Sequence, residues 1–219
     1  MMPRVLPHVY LVTDAEAGAD LVARVEAALR GLPREAVAVQ LRAKEEGGRA
    51  LLAAARALRR VTEESGQLLV VNDRLDVALL AEADGVHLPS HGVPPAAARR
   101  LLGSGRLVGV SCHSAADVLR ARQGGADFAT FGPVFPTPSK LRYGPPVGLE
   151  RLREAAATGL PVLGLGGVDV ARAPEVMAAG AYGVAAIRAW LVAGDPGAAV
   201  RGLLAATGTG DGTSRDRGR

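Results

Sequence analysis

The chain has 219 residues, of which 48% are hydrophobic and 3% are aromatic. This length suits one domain or two, and the composition can supply a large buried core of Ala, Val and Leu. The formal net charge is +4, but the basic residues are scattered and no nucleic-acid motif is present. The single cysteine, Cys112, excludes an internal disulfide bond and any metal site built from several cysteines.

Nothing in the sequence indicates membrane insertion. No apolar run is long enough to span a bilayer, and no charged segment precedes an apolar one. We therefore expect a cytoplasmic protein that acts on a small molecule, without a nucleic-acid or membrane partner. Assembly into a homo-oligomer is left open.

The chain alternates between short apolar runs and segments with helical spacing. The runs predicted to be strands are residues 8–13, 36–41, 68–71, 85–88, 107–111, 128–131, 161–165 and 183–187. The segments predicted to be helices are residues 19–32, 49–65, 73–81, 94–102, 115–124, 149–157, 172–179 and 189–206. Alternating strands and helices imply a parallel sheet with right-handed crossovers.

Eight such units predict a single-domain α/β fold, a (β/α)8 TIM barrel, over residues 1–206. A doubly wound open sheet is the alternative. Residues 207–219 are rich in Gly, Thr, Ser, Asp and Arg and lack apolar periodicity, so this tail is expected to be disordered.

The active site of a TIM barrel lies at the carboxyl ends of its strands, so the polar residues there are candidate site residues. They are Thr13 and Asp14; Gln40, Arg42 and Lys44; Asn72 and Asp73; His87, Ser90 and His91; Ser111, His113 and Ser114; and Thr137, Ser139 and Lys140. Lys44 and Lys140 are the only lysines in a chain with 26 basic residues, and both fall at this mouth. Their retention indicates a need for a compact ammonium group.

Two loops are candidates for binding phosphate. The Gly-Leu-Gly-Gly segment at residues 164–167 follows the seventh run, where the backbone of Gly166 and Gly167 can approach an anion. A tight turn is the alternative interpretation. The proline-rich loop 132–148 is long, and Thr137, Ser139 and Lys140 in it are suited to a phosphate or a diphosphate. A rigid surface loop is the alternative there.

Three further residues have competing interpretations. Asp73 either caps the following helix or binds Mg²⁺, in which case substrate phosphates must supply the remaining oxygens. His87 lies in a buried-strand pattern and is expected to pack in the core. His113 follows the fifth run, where an imidazole can exchange a proton near neutral pH; a helix-capping role is the alternative.

Several motifs run in order along the chain. They are Tyr10-Leu-Val-Thr-Asp14, Gln40-Leu-Arg-Ala-Lys44, Val71-Asn-Asp-Arg74, Ala83-Asp-Gly-Val-His-Leu88, Gly109-Val-Ser-Cys-His-Ser114, Gly132-Pro-Val-Phe-Pro-Thr-Pro-Ser-Lys140, Gly148-Leu-Glu150 and Gly164-Leu-Gly-Gly167. Together, over about residues 9–204, they resemble the thiamine phosphate synthase superfamily.

That superfamily has two branches. Thiamine phosphate synthases join a pyrimidine methyl diphosphate to thiazole phosphate with Mg²⁺. TenI-like thiazole tautomerases aromatise a thiazole carboxylate phosphate without a metal. In the synthase interpretation, the resemblance implies that the pyrimidine, the diphosphate and Mg²⁺ are bound by Gln40, Arg42, Lys44, Asn72, Asp73, Thr137, Ser139 and Lys140.

The chain departs from the synthase pattern at two places. After the fourth run that pattern is Gly-Gln-Glu-Asp, and its Asp is a metal ligand. Here the segment is Pro89-Ser-His-Gly92, so Gly92 replaces a carboxylate. Where synthases have Ile-Ser at the eighth strand, this chain has Ile187-Arg188, and an arginine there can bind a phosphate through two hydrogen bonds.

Because a metal ligand is replaced, the sequence favours the thiazole tautomerase. His113 is then the proton-transfer residue, the substrate phosphate lies at Gly166, Gly167 and Arg188, and no cofactor is needed. Ser111 and Ile187 complete the predicted substrate-binding set. One alternative is a thiamine phosphate synthase that uses Mg²⁺ with Asp73 as a ligand. The other is a non-catalytic regulator that binds thiazole phosphate.

Overall fold

Eight parallel strands form the centre of the molecule. The computed structural model describes residues 5–14, 20–43, 46–137 and 145–208. The strands are β1 (Val9–Val12), β2 (Val37–Leu41), β3 (Leu68–Asn72), β4 (Gly85–Leu88), β5 (Leu107–Cys112), β6 (Phe128–Phe131), β7 (Val162–Leu165) and β8 (Gly183–Ala186). They pair in chain order, and β8 pairs with β1 to close the barrel. The predicted single-domain (β/α)8 TIM barrel is confirmed.

Helices follow the strands and cover the barrel. They are α1 (Leu21–Leu29), α2 (Gly48–Ser65), α3 (Leu75–Leu80), α4 (Pro95–Leu102), α5 (Ala115–Gln123), α6 (Gly148–Ala156), α7 (Ala173–Ala178), α8 (Arg188–Leu191) and α9 (Pro196–Ala206). In the described ranges, none of them is both long enough and apolar enough to cross a membrane. The tail residues 209–219, Lys44, Ser139 and Lys140 lie outside the described residues.

The core has two layers because each strand is buried on both faces. Leu58, Val108 and Trp190 belong to the layer between the strands and the helices. Tyr10 and Phe128 belong to the layer inside the barrel, where their rings meet edge to face with centroids 5.4 Å apart. Since side chains fill the interior, the barrel is a packed core and a ligand must bind at its mouth.

The predicted last helix, residues 189–206, is wrong: the structure has two helices, α8 and α9, with a break at Val192–Asp195. Asp195 precedes Pro196, and the proline ring disfavours the helical conformation for the residue before it. The Asp195 side chain instead caps α9 by accepting a hydrogen bond from the backbone of Ala198 at 2.9 Å. Pro196 then occupies the first turn, where its missing N–H costs nothing.

Two aspartates close the strand ladder at the end of the barrel away from the mouth. Asp84, directly before β4, accepts hydrogen bonds from Leu69 N at 2.7 Å and from Arg59 Nη1 at 2.8 Å. Asp127, directly before β6, accepts from Val108 N at 2.6 Å and from Arg99 Nη2 at 2.5 Å. Each carboxylate therefore satisfies a strand N–H and an arginine at once.

Candidate functional site

The carboxyl ends of β1, β2 and β3 carry one hydrogen-bonded polar group. Gln40 Nε2 donates to Asn72 Oδ1 at 3.1 Å, and this bond uses neither Gln40 Oε1 nor Asn72 Nδ2. Arg42 N donates to Thr13 Oγ1 at 2.9 Å, and Arg42 Nη1 donates to Asp14 Oδ2 at 3.1 Å. The structure thus brings Gln40, Arg42 and Asn72 together, next to a fixed cation. An amide oxygen beside amide hydrogens suits a heteroaromatic ring with an amino group.

Asp73 leaves β3 in the left-handed region, with a φ of +64°. Its N–H donates to His87 O at 2.9 Å, and its side chain is exposed. The residue that precedes α3 is Arg74, which forms no side-chain cap, so the capping interpretation of Asp73 is not supported. The turn therefore presents the carboxylate at the rim of the mouth.

The residues around Asp73 do not form a preformed Mg²⁺ site. Within the described ranges, no group of three or more His, Cys, Asp or Glu side chains could hold a metal ion. The Pro89–Gly92 turn, closed by Gly92 N donating to Pro89 O at 3.0 Å, contributes no carboxylate. A Cβ on Gly92 would lie 2.8 Å from Pro89 Cδ, so the proline ring occupies the space of a side chain. Asp14, another described carboxylate at the mouth, is already paired with Arg42.

His87 is buried, as predicted, but it also makes contacts that the sequence pattern did not indicate. Its Nε2 lies 3.1 Å from Ser111 Oγ and 3.1 Å from Thr130 Oγ1. Burial lowers the pKa of His87 to about 3, so the ring is neutral near pH 7. Gly109 makes room for it, because a Cβ there would lie 2.7 Å from His87 Nδ1. The imidazole thereby holds the half-buried Ser111 from below.

His113 lies at the edge of the mouth, directly before Ser114, the N-cap residue of α5. Its Nδ1 lies 2.7 Å from Gly132 O, and a carbonyl can only accept, so Nδ1 carries the hydrogen. In the neutral ring Nε2 then has the lone pair and can act as a base. The capping role belongs to Ser114 and Asp117, which form a reciprocal capping box. His113 itself contributes its backbone N–H, which donates to Asp117 at 3.1 Å.

The loop after β7 packs against the start of the loop after β6. Leu165 O accepts from Val134 N at 2.8 Å, and Gly166 O accepts from Phe135 N at 3.0 Å. Gly166 has a φ of +99°, and a Cβ there would lie 2.6 Å from Pro133 Cα. Close packing of the two loops therefore requires glycine here, independently of any ligand.

A residue that the sequence analysis did not single out completes this region. Arg172 Nη1 donates to Gly167 O at 2.9 Å, and the guanidinium carbon lies 5.1 Å from the centre of the Phe135 ring. No periodicity or motif signals this role, because it depends on two loops that meet only in the folded chain.

The remaining predicted residues lie along the same rim. Ile187 directly follows β8, and Arg188 begins α8. Thr137 is the last described residue of the loop after β6. In an eight-stranded ring closed in chain order, β3 lies across the mouth from β7. The Gln40–Asn72 pair and the loop after β7 that contains Gly166 therefore lie on opposite sides of the barrel mouth.

The fold and the polar mouth define the class of protein, a (β/α)8-barrel enzyme. Residues 9–190 match the TMP-TENI family, described as thiamine monophosphate synthase. The chain belongs to this family, and it is therefore an enzyme of thiamine biosynthesis.

Individual relatives agree. A Geobacter sulfurreducens protein named "Putative thiamine-phosphate synthase" is 52% identical over 209 residues, covering 93% of this chain and 96% of that protein. The thiamine-phosphate synthase of Roseiflexus castenholzii is 46% identical over 198 residues, covering 89% of this chain and 86% of that protein. The structure is similar to thiamine phosphate pyrophosphorylase from Pyrococcus furiosus, with a TM-score of 0.81, 33% identity, and coverage of 91% of this chain and 95% of that chain.

These relatives are named for the synthase activity, and none of the three names favours the tautomerase branch that the sequence analysis preferred.

Proposed function

We propose that this chain is a thiamine phosphate synthase, which joins a pyrimidine methyl diphosphate to a thiazole phosphate. One observation carries the proposal: the mouth has two separate groups of polar contacts, the Gln40–Asn72 pair at the carboxyl ends of β2 and β3 and the glycine loop after β7. A transferase must hold two substrates at once, whereas a tautomerase holds one. The names of the relatives agree with the two-substrate reaction.

The roles follow from the chemistry of each group. Gln40 and Asn72 bind the aminopyrimidine ring through their amide oxygen and hydrogens. Arg42 lies beside them and faces the diphosphate, whose negative charge grows as the bond to the pyrimidine methylene breaks. The thiazole nitrogen forms the new bond to that methylene, and diphosphate leaves.

The second substrate lies across the mouth. The backbone of Gly166 and Gly167, with Arg188, binds the thiazole phosphate. Ser111, held by His87, lies on β5 between the two groups. Lys44, Thr137, Ser139 and Lys140 supply further donors to the diphosphate in this proposal.

The family resemblance implies Mg²⁺, but the residues around Asp73 do not form a site for it, so we assign it no step. A divalent ion would have to arrive with the diphosphate, whose oxygens replace the ligands that the Pro89–Gly92 turn lacks. Asp73, exposed at the rim, is then a protein carboxylate that could contact such an ion.

A second candidate is the thiazole tautomerase, and the geometry of His113 favours it. With Nδ1–H donated to Gly132 O, Nε2 can take a proton from the thiazole ring carbon and return it to the exocyclic carbon. Gain of aromaticity drives that reaction, so a positioned base is sufficient.

Two assays on the same preparation separate these functions. The first supplies pyrimidine methyl diphosphate and thiazole phosphate, with and without Mg²⁺, and measures thiamine phosphate. The second supplies the non-aromatic thiazole carboxylate phosphate and measures its aromatic tautomer, for the wild type and for His113→Ala. We expect thiamine phosphate to form in the first assay.

Two of the following results would contradict the synthase proposal, and one would remove His113 from the tautomerase alternative. Tautomer formation that is lost in His113→Ala, without thiamine phosphate, assigns the tautomerase. Unchanged tautomer formation in that variant removes His113 from the mechanism. Binding of thiazole phosphate without turnover in either assay assigns the regulator.

A further inference from the structure

Arg172 joins two loops at the mouth, although it is not among the site residues that the sequence predicts. Its guanidinium donates to Gly167 O at 2.9 Å and lies 5.1 Å from the centre of the Phe135 ring. Its backbone N–H donates to Asp169 Oδ1 at 3.0 Å, which fixes the start of the helical turn that carries it. The side chain therefore holds the loop after β7 against the loop after β6.

Three consecutive carbonyls, from the last residue of β7 into the loop after it, are held by hydrogen bonds. Leu165 O accepts from Val134 N, Gly166 O accepts from Phe135 N, and Gly167 O accepts from Arg172. The donors are Phe135 and its neighbour, and an arginine whose guanidinium lies over Phe135. The first two carbonyls therefore point toward the loop after β6, and the third points toward the Arg172 guanidinium, which lies over Phe135 of that loop.

The orientation of the carbonyls determines that of the next amide hydrogens. In a planar trans peptide the C=O and the following N–H point in opposite directions. The N–H groups of Gly166, Gly167 and Val168 must then point away from the loop after β6. Since β7 lies between β6 and β8, the side away from that loop is the side of β8, where Arg188 begins α8.

We infer that Arg172 is a positioning residue, which aims the Gly167 and Val168 amides at the phosphate of the substrate through its bond to the Gly167 carbonyl. The inference rests on the proposed function for the identity of that substrate. Arg172 acts from behind the loop and does not touch the phosphate. Its positive charge also polarises the Gly167–Val168 peptide, which strengthens Val168 N–H as a donor.

The contact with Phe135 predicts which substitutions are tolerated. The flat guanidinium can lie on the ring and donate to the carbonyl at the same time, whereas lysine keeps only the charge and a donor. Arg172→Lys is therefore expected to retain part of the effect, and Arg172→Leu to lose it. Arg151→Leu, at an exposed position of α6, removes an equal charge from a residue outside both loops.

The test is a titration of the full chain with inorganic phosphate, followed through the backbone amide signals in ¹⁵N NMR spectra. In the wild type we expect phosphate to shift the Gly167 and Val168 amides. Arg172→Leu should weaken phosphate binding by about tenfold, the scale of one lost charge-assisted hydrogen bond. Arg172→Lys should lie between the two, and Arg151→Leu should bind as the wild type does.

A second measurement separates positioning from a general loss of structure. In Arg172→Leu the KM for thiazole phosphate should rise by about the same tenfold factor while kcat changes little. A fall in kcat with an unchanged KM overturns the inference.

Three results of the titration also overturn it. They are unchanged phosphate affinity in Arg172→Leu, phosphate shifts that miss both amides, and a shift of the Arg172 side-chain N–H signals alone, which would make the residue a direct ligand. The titration needs no turnover. A wild type that binds phosphate at these amides but forms no thiamine phosphate would refute the proposed synthase and leave this inference standing.

Discussion

The two ends of the barrel use aspartate in opposite ways. At the end of the barrel away from the mouth, which we call the closed end, the Asp84 carboxylate is inaccessible to solvent. It is bonded to both Arg59 and a strand N–H. At the mouth, Asp73 is exposed and projects from a left-handed turn. The difference lies in the position relative to the strand: Asp84, before β4, completes the ladder, whereas Asp73, after β3, is available to a ligand.

The closed end repeats this device with variations. Asp127, before β6, makes the same pair of bonds as Asp84, but its side chain is 37% exposed. Tyr182 takes the corresponding place before β8, and its hydroxyl donates to Leu6 O at 2.6 Å. In each case the residue before an even-numbered strand ties down a neighbouring segment. These contacts stabilise the end of the barrel away from the mouth, which leaves the mouth free to vary.

The most severe test of this division removes each aspartate charge in turn. Asp84→Asn should lower the free energy of unfolding by about 3–5 kcal/mol, because Arg59 then loses the buried negative charge with which it is paired. Asp73→Asn should change stability little, since asparagine tolerates the left-handed region, but it should reduce synthase activity. Urea unfolding and kcat/KM together measure the contrast. Equal stability losses in the two variants would refute it.

A matched pair of arginines tests the same division from the cationic side. Arg42→Met at the mouth should reduce kcat/KM for thiamine phosphate formation by about a hundredfold, since it removes a donor to the developing diphosphate charge. Arg59→Met at the closed end should lower stability and leave kcat/KM of the folded protein unchanged. Steady-state kinetics on both variants give the measurement. A comparable loss of kcat/KM in Arg59→Met would show that the ends are coupled.

His87 lies between the two ends and makes stability depend on pH. Its pKa falls from the ordinary value of 6.5 to about 3 through burial, so between these values the unfolded chain binds a proton that the folded chain does not. Stability from this group is complete above about pH 6.5 and is lost as the pH falls, by about 2 kcal/mol between about pH 7 and pH 5. Urea unfolding at both pH values should show this loss in the wild type and a smaller one in His87→Gln. An equal loss in both proteins would mean that other groups cause it.

Much of the fold could be predicted because its signals are local. The runs at residues 85–88 and 128–131 coincide with β4 and β6, since a buried parallel strand is a continuous apolar run. The last helix was predicted wrongly because apolar spacing continues across a break that Asp195 and Pro196 impose. Both signals were present in the sequence, and the capping aspartate before a proline should have outweighed the spacing.

The site could be predicted only in part. Gln40 and Asn72 lie at the carboxyl ends of β2 and β3, so their meeting at the mouth follows from the fold. Thr130 and Arg172 were missed because their roles depend on contacts between distant segments, with His87 and with Phe135. The same holds for the coupling of Pro89 to Gly92, which only the geometry of the turn reveals.

The contact between Pro89 and position 92 gives the prediction with the smallest expected effect. It concerns variants that place a carboxylate at position 92. A side chain at position 92 would meet the Pro89 ring at 2.8 Å, so Gly92→Asp alone should strain the turn and gain little affinity for Mg²⁺. The double variant Pro89→Gly, Gly92→Asp relieves the contact and places a second carboxylate near Asp73. It should bind Mg²⁺ with inorganic diphosphate about tenfold more tightly than the wild type, measured by calorimetry. Pro89→Gly alone is the control and should bind as the wild type does. If Gly92→Asp binds Mg²⁺ with inorganic diphosphate as tightly as the double variant does, the Pro89 ring does not exclude the carboxylate. The loss of the carboxylate at position 92 is then independent of Pro89.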